Sequence, residues 1–262
     1  MDADEVAPEK DPAPAVTRSV KILELLASGR GEASLTEIAR GIGAAKSSTS
    51  NLCAVLEGTG LITKVGGGYG LGHRILEFAG AYLRRFDEVR TFYRFCAESE
   101  VLSQEIVQIA MLDGVDVVYL ARHEGTAPLR LTAGIGDRFP AAPTAVGNAL
   151  LAGLDRELVR TLFSDADAFP VRTERSVRSL AALEAKLDVA RERGYAVDEG
   201  EVHPGVVGIA VRIPPRSSGS APLAIGVSLI TPSLPAERRR EIVDELHELA
   251  RMLANPLVAD VT

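Results

Sequence analysis

Cysteine is nearly missing from this chain of 262 residues: Cys53 and Cys96 are the only two. Two are too few for a disulfide framework, and they do not form the Cys-x-x-Cys spacing of a metal clip. Both fall in helical patterns, where cysteine buries as a small apolar residue. No run of roughly eighteen uncharged apolar residues occurs, which excludes a membrane-spanning helix. The opening stretch MDADEVAPEKDPAPAV lacks the basic start and apolar centre of a secretion signal. A reducing cytoplasm is the expected setting, and residues 1–16 read as a disordered acidic tail. Catalytic signatures are also absent: there is no Gly-x-Ser-x-Gly elbow, Walker loop, His-Glu-x-x-His pair or dinucleotide fingerprint. The run GGGYGLG at 66–72 follows a strand pattern but opens onto another strand, the wrong context for a nucleotide. No enzymatic activity and no cofactor are expected.

Apolar residues make up 46% of the chain, enough for one large core or two ordinary ones. The net charge is −7, which argues against nucleic acid as a partner of the whole surface. The charge is uneven, however. Residues 17–78 hold seven Lys/Arg against five Glu, whereas the tail, with five acids and Lys10, stands at −4.

That weakly positive segment is also the most patterned. SVKILELLA, from Ser19 to Ala27, has a helical repeat (Val20, Leu23 and Ala27 beside Ile22 and Leu26) that stops at Gly29. Ser34 with Glu37 three residues on forms a capping box, and Leu35, Ile38, Ala39 and Ile42 give the second helix an apolar face. A third helix is expected over Lys46–Gly58, with Thr49, Leu52, Val55 and Leu56 inward and Lys46, Ser47, Ser50, Asn51, Ala54 and Glu57 outward. LITKV and YGLG then flank a Gly triplet at 66–68, whose freedom to take positive φ suits a tight hairpin. Helix, helix, turn, helix, hairpin is the order of a winged helix-turn-helix.

Residues 73–101 read as one or two linker helices. From Gln104 the period shortens to two in EIVQIAML, VDVVYLARH, LRLTA, GVVGIAVRI and PLAIGVSLI, interrupted by helical patterns at 144–153, 155–163, 177–193 and 235–253. This predicts an α+β domain with one mostly antiparallel sheet, and PPRSSGSAP at 214–222 is read as a hairpin loop.

A DNA-reading helix needs an apolar inner face and small polar or basic residues outward. Ser47, Ser48, Ser50 and Asn51 meet that need, with Lys46, Lys64 and Arg74 as candidate phosphate contacts. A Ser-rich face can equally be a solvated helix surface, or a protein contact in a small-molecule sensor.

The segment VTRSVKILELLASGRGEASLTEIARGIGAAKSSTSNLCAVLEGTGLITKVGGGYGLGHRILEFA resembles the N-terminal domain of the isocitrate-lyase-regulator (IclR) family of bacterial transcription factors. The similarity continues through RLTAGIGDRFPAAPTAVGNALLAGL and YAVDEGEVHPGVVGIA to AIGVSLI. It implies a winged helix-turn-helix at 17–72, linker helices at 73–101 and a GAF-like effector-binding domain at 102–262. It further implies a homodimer or dimer of dimers bound to an inverted-repeat operator on double-stranded DNA, with no membrane partner and a small organic acid as effector. This chain departs from the family at Ala45, where Pro is common, at Ser50-Asn51, where a His-Arg pair is common, and in a wing without Arg.

The resemblance places the effector site at Gly134, Ile135, Gly136, Ala145, Asp198, Gly208, Gly226 and Ser228. Gly208 stands where many members carry Cys, and Gly226 and Ser228 stand at two positions that are often both Ser. The 134–148 loop and helix entry could offer N–H groups to an anion. The two glycines predict a roomier, less polar pocket and a larger, hydroxylated carboxylic acid. Each residue also has a purely structural reading: strand irregularity for the glycines, a satisfied hydroxyl for Ser228 and a turn cap for Asp198. His203, among Asp198, Glu199 and Glu201, could contribute to a zinc site, although two further ligands at fixed spacing are not visible.

Overall fold

The computed structural model describes residues 11–28, 31–86, 88–126, 133–216, 220–230 and 234–255. It divides into two compact units, Met1–Arg85 and Phe86–Thr262.

In the first unit α1 (Pro14–Ser28), α2 (Leu35–Gly41) and α3 (Lys46–Gly58) enclose a core of Ile22, Leu26, Ile38, Ile42, Cys53 and Leu56. α1 starts at Pro14 and so takes in the end of the expected tail; the rest of the tail, residues 1–10, lies outside the described residues. Its buried residues are Ile22 and Leu26, while Val20 is exposed. The capping box at α2 is complete: Glu37 N donates to Ser34 Oγ at 3.3 Å, and Ser34 N donates to Glu37 Oε2 at 2.8 Å. The turn into α3 passes through Gly43 at φ +63°, a conformation that costs a side-chain-bearing residue energy.

The hairpin β2 (Ile62–Val65) and β3 (Gly68–Leu71) pairs Val65 with Gly68, leaving Gly66-Gly67 as the turn. A two-residue strand, β1 (Glu32–Ala33), adds to β3 and makes the wing a three-stranded sheet. α4 (Arg74–Leu83) closes the unit.

α5 (Glu88–Glu98) belongs to the second unit, so the expected 73–101 linker is divided between the two. Phe92 and Cys96 of α5 are fully buried, and burial pushes the Cys96 thiol up to about 12. Glu88 pairs with Arg216 at 3.1 Å.

The six-stranded sheet is antiparallel throughout, in the order β6-β5-β4-β9-β8-β7. Its strands are β4 (Ile106–Asp113), β5 (Asp116–His123), β6 (Arg138–Pro140), β7 (Ala196–Glu199), β8 (Val206–Ile213) and β9 (Leu223–Ile230). The expected strand LRLTA falls outside the described residues except for Ala133, and so does part of the 214–222 connection, at 217–219. That connection joins the adjacent antiparallel strands β8 and β9, as expected of a hairpin.

The two faces of the sheet differ in side-chain size. Ala110, Ala210, Ala224, Gly208 and Gly226 point toward α6 (Ala145–Ala152) and its neighbour α8 (Leu180–Arg193). The alternate rows, Ile109-Ile225-Val211 and Val107-Val227-Ile209, point the other way and are buried. α9 (Ala236–Ala254) packs on β8, β9 and α5. Small residues on one face let α6 approach the strands closely, and that approach shapes the cavity described next. The short α7 (Arg156–Leu162) completes the unit.

Candidate functional site

The two units each present one arrangement of functional groups. In the first it is a face of α3. Thr49, Cys53 and Leu56 are its buried residues, with Thr49 Oγ1 satisfied by the Ala45 carbonyl at 3.0 Å. At about 100° per residue the opposite pole falls on Asn51, with Ser47, Ala54 and Val55 within roughly 55° and Ser48 and Ser50 roughly 70–90° to the sides. All six are exposed. One expectation is thereby corrected: Val55 is 66% exposed rather than inward, because the core face runs from Leu56 through Thr49 to Cys53.

The proposed phosphate contacts differ in availability. Lys46 is exposed at the start of α3, where unpaired N–H groups add positive potential. Lys64, on the wing, is 68% exposed and shares an ion pair with Glu57 at 3.2 Å. Arg74 is committed elsewhere: Nη1 donates to the Thr59 carbonyl at 2.9 Å, and the guanidinium lies over Phe78. It is exposed at the surface, with this one bond tying it to the C-terminus of α3.

In the second unit, register gathers residues distant in sequence. Asp198, Gly208 and Ser228 form one row across β7, β8 and β9, and Ala210, Gly226 and Gln108 form the next row on the same face. Over these rows stands the N-terminal turn of α6, capped by Thr144 Oγ1, which accepts from Gly147 N at 3.1 Å. The resulting cavity, about 60 Å³, carries polar groups from Gln108, Tyr119, Thr144, Asp198, His203 and Ser228. Phe139, Ala145, Val146 and Val206 supply apolar wall. The first N–H groups of α6 lack intrahelical acceptors by the geometry of any helix start.

Of the sequence-predicted effector residues, the structure brings Ala145, Asp198, Gly208, Gly226 and Ser228 to this cavity. It does not bring Gly134, Ile135 and Gly136 into the wall. Gly134 N donates to Asp137 Oδ2 at 2.6 Å, Gly136 N donates to the Tyr119 carbonyl at 2.8 Å, and Ile135 is 55% exposed. The N–H groups of Gly134 and Gly136 are therefore already engaged. Gln108, Tyr119, Phe139, Val146 and His203 were missed as cavity residues. The missing signal was strand register, which no local pattern in the sequence reveals.

The roomy pocket is also corrected. A β-carbon at Gly226 would stand 2.7 Å from Val146 Cγ1, and one at Gly208 would stand 3.1 Å from Ala145 Cβ. The space the two glycines leave is taken by α6. The remaining 60 Å³ matches on the order of four water-sized positions.

Asp198 is 5% exposed. Its Oδ1 accepts the Glu201 N–H at 2.6 Å, so the turn-cap reading holds alongside the cavity position. Burial pushes its carboxyl up to about 7, against the opposing pull of the Glu201 and Val202 N–H groups. Tyr119 is raised well above an ordinary phenol, by burial first and then by Asp198 and Asp137. Its ring meets Phe139 edge to face at 5.9 Å. Among the described residues no three His, Cys, Asp or Glu converge as a metal cluster. The Glu201 carboxylate is instead bound by Lys186 Nζ at 2.6 Å.

Fold and sites together define a class: a winged helix-turn-helix unit followed by a sheet domain with a small cavity. Comparison with known proteins supplies the family. Residues 15–66 match the IclR helix-turn-helix domain, and residues 80–255 match the bacterial transcriptional regulator IclR C-terminal domain. The HTH-type transcriptional regulator KdgR of Escherichia coli (strain K12) is 29% identical, over 94% of this chain and 93% of its own. The crystal structure of the Agobacterium tumefaciens repressor BlcR is 33% identical, with a TM-score of 0.58, over 94% of this chain and 97% of that one. An IclR homologue from Microbacterium hydrocarbonoxydans, solved as a complex with 4-hydroxybenzoate, shares the fold with a TM-score of 0.79 at 23% identity, over 94% of this chain and 100% of that one. The chain belongs to the IclR family of bacterial transcriptional regulators. Among the described residues no helix is long and apolar enough to cross a membrane.

Proposed function

We propose that this regulator binds an inverted-repeat operator through the outer face of α3 and that a small organic acid in the Asp198 cavity modulates that binding. The observation that carries the DNA reading is the exposed face centred on Asn51, with Ser47, Ala54 and Val55 around it and a three-stranded wing following in sequence. An Asn amide can read adenine bidentately, and apolar side chains can meet thymine methyls. Its working form is a homodimer. α4 supports this, since it buries no residue and exposes Leu76, Phe78 and Tyr82, large apolar side chains distributed around the helix that a second copy would help to cover. Half-sites should then lie about one helical turn, roughly 10 bp, apart.

An acid suits the cavity because the start of α6 offers N–H groups and Ser228 a hydroxyl. The 4-hydroxybenzoate held by the Microbacterium relative supports an organic acid as the ligand class. The cavity's volume favours an acid of few heavy atoms, and one as large as 4-hydroxybenzoate requires Val146 or Phe139 to move. That the matched relatives are transcriptional regulators supports a non-enzymatic role. A gel shift with duplex from the gene's own upstream region tests the DNA reading. A retarded, competitor-resistant complex is expected. Failure to bind, with the chain folded, would favour a helix-turn-helix used for protein contact.

A further inference from the structure

Asp198 faces the cavity in an unusual state for a carboxyl. One oxygen, Oδ1, is taken by the Glu201 N–H, and the Val202 N–H also bonds to the carboxyl. The other, Oδ2, is turned toward the bare backbone of Gly208, 3.9 Å from where a β-carbon would stand. No cation among the described residues forms an ion pair with it. Lys186 on α8, whose charge pulls the carboxyl down, is held at 2.6 Å by Glu201 Oε1, whose charge pushes it up. On its own strand Glu199 pairs outward with Arg239 at 3.3 Å. From β5 the cavity receives the neutral phenol of Tyr119, on which Asp137 also acts. From the turn after β7 it receives His203. α6, β8, β9 and β4 face the cavity with Thr144, Ala145, Val146, Gly208, Gly226, Ser228 and Gln108, none of them charged. A buried carboxyl that has no ion-pair partner favours its neutral form.

We propose that Asp198 recognises the acid effector as a hydrogen-bond donor, in its protonated form, so that at high pH binding of each carboxylate is accompanied by uptake of one proton. The proton comes from solvent and stays between two carboxyl groups, on Asp198 Oδ2 toward a ligand oxygen. The conflict between an acidic wall and an acidic ligand disappears, because only one negative charge is present once both are in place. A dianionic acid gains nothing further here, since the cavity holds no second donor of positive charge among the described residues. This proposal rests on the acid-site reading above.

The carboxyl lies at about 7, so it is protonated at low pH without a ligand and must be protonated on binding at higher pH. Affinity for a monocarboxylate should therefore be flat below about pH 6 and fall about tenfold per unit well above 7, a loss of roughly 30-fold from pH 6 to pH 8.5. His203 lines the same cavity, so its part in the profile is tested separately.

The test uses the full chain. Formate, glyoxylate, pyruvate and 4-hydroxybenzoate are screened by thermal shift at pH 6, and the acid with the largest shift goes to calorimetry. At pH 7.5, titrations in Hepes and in Tris, whose ionisation heats differ, give the protons taken up: about 0.8 per acid is expected for a group near 7. Asp198→Asn keeps the acceptor for Glu201 N and carries a permanent donor. It should bind with no proton uptake and a flat pH profile, while His203→Gln should retain the wild-type profile. Zero uptake by the wild type, an unchanged profile in Asp198→Asn, or loss of the profile in His203→Gln would overturn the proposal. If none of the four acids shifts the wild type, the acid-site reading itself fails, an outcome separate from those three.

Discussion

The polar groups of α3 and those of the Asp198 cavity differ in where their hydrogen bonds go. Ser47, Ser48, Ser50 and Asn51 stand in solvent, exposed around the pole of a helix whose other face is core. In the cavity Asp198 caps its turn, Gln108 Nε2 donates to the Ala133 carbonyl at 3.0 Å, and Thr144 caps α6. The first arrangement can adapt to different base edges at little cost to folding. The second is assembled by the fold, so its groups cannot change without disturbing the strands and the helix that place them. Substitutions on the helix face should alter binding and leave stability alone, whereas substitutions in the cavity should alter both.

The sharpest break of this contrast is Gly226→Ser, which restores the hydroxyl that the family resemblance leads one to expect. Its β-carbon would sit 2.7 Å from Val146 Cγ1, so overpacking should cost about 1–3 kcal/mol of stability. Chemical denaturation should show the loss, and Val146→Ala in the same chain should recover part of it. Unchanged stability in the single variant would mean that α6 is not fixed against the sheet.

On the helix face, Asn51→Ala should lower affinity for the operator by about 1–3 kcal/mol, or roughly 5- to 150-fold, the scale of one bidentate base contact. Its melting temperature should match the wild type. A gel-shift titration beside a melt separates the two readouts.

Asp198→Asn sharpens the comparison through pH. The Asp198 carboxyl is raised in the folded chain, so the native state binds more protons than the unfolded one between about pH 4 and pH 7, and this residue costs increasing stability as pH rises through that window. The Asn variant should therefore gain stability over wild type as pH rises to 8, with the advantage gone near pH 4. Denaturation midpoints across pH give the answer, and an equal gain at all pH values would contradict it.

The smallest effect is expected at Ser34→Ala. Removing the capping box should cost about 1 kcal/mol of stability in the first unit, visible as earlier melting there. The cavity is in the other unit, so acid binding should be unaffected.

The same contrast explains how far the sequence could be read. α2 was legible to its first residue, because the Ser34–Glu37 box is a local device that needs no tertiary partner. The long strands β4, β5, β8 and β9 and the four helices among them also carry their own period. β1, β6 and β7, at two, three and four residues, are too short to show one and exist through their partners. Val55 was misplaced because counting from Leu52 centres the inner face too far toward Leu52, whereas Thr49 and Cys53 pull it the other way. In the cavity, Asp198 and Ser228 entered through family resemblance. Gln108 and Tyr119 could not be found, since their meeting depends on β4 lying between β5 and β9. The glycines misled for a related reason: a missing side chain reads as empty space, but the space belonged to Val146.

The measurement that tests the account most directly is an operator-binding titration of the full chain on its own upstream DNA, run for wild type and Asn51→Ala with and without the acid that most stabilises the wild type. The account predicts a specific complex that is weakened by Asn51→Ala and altered in affinity by the acid in both chains. A complex indifferent to sequence and to Asn51, or one that the bound acid leaves unchanged, would contradict it.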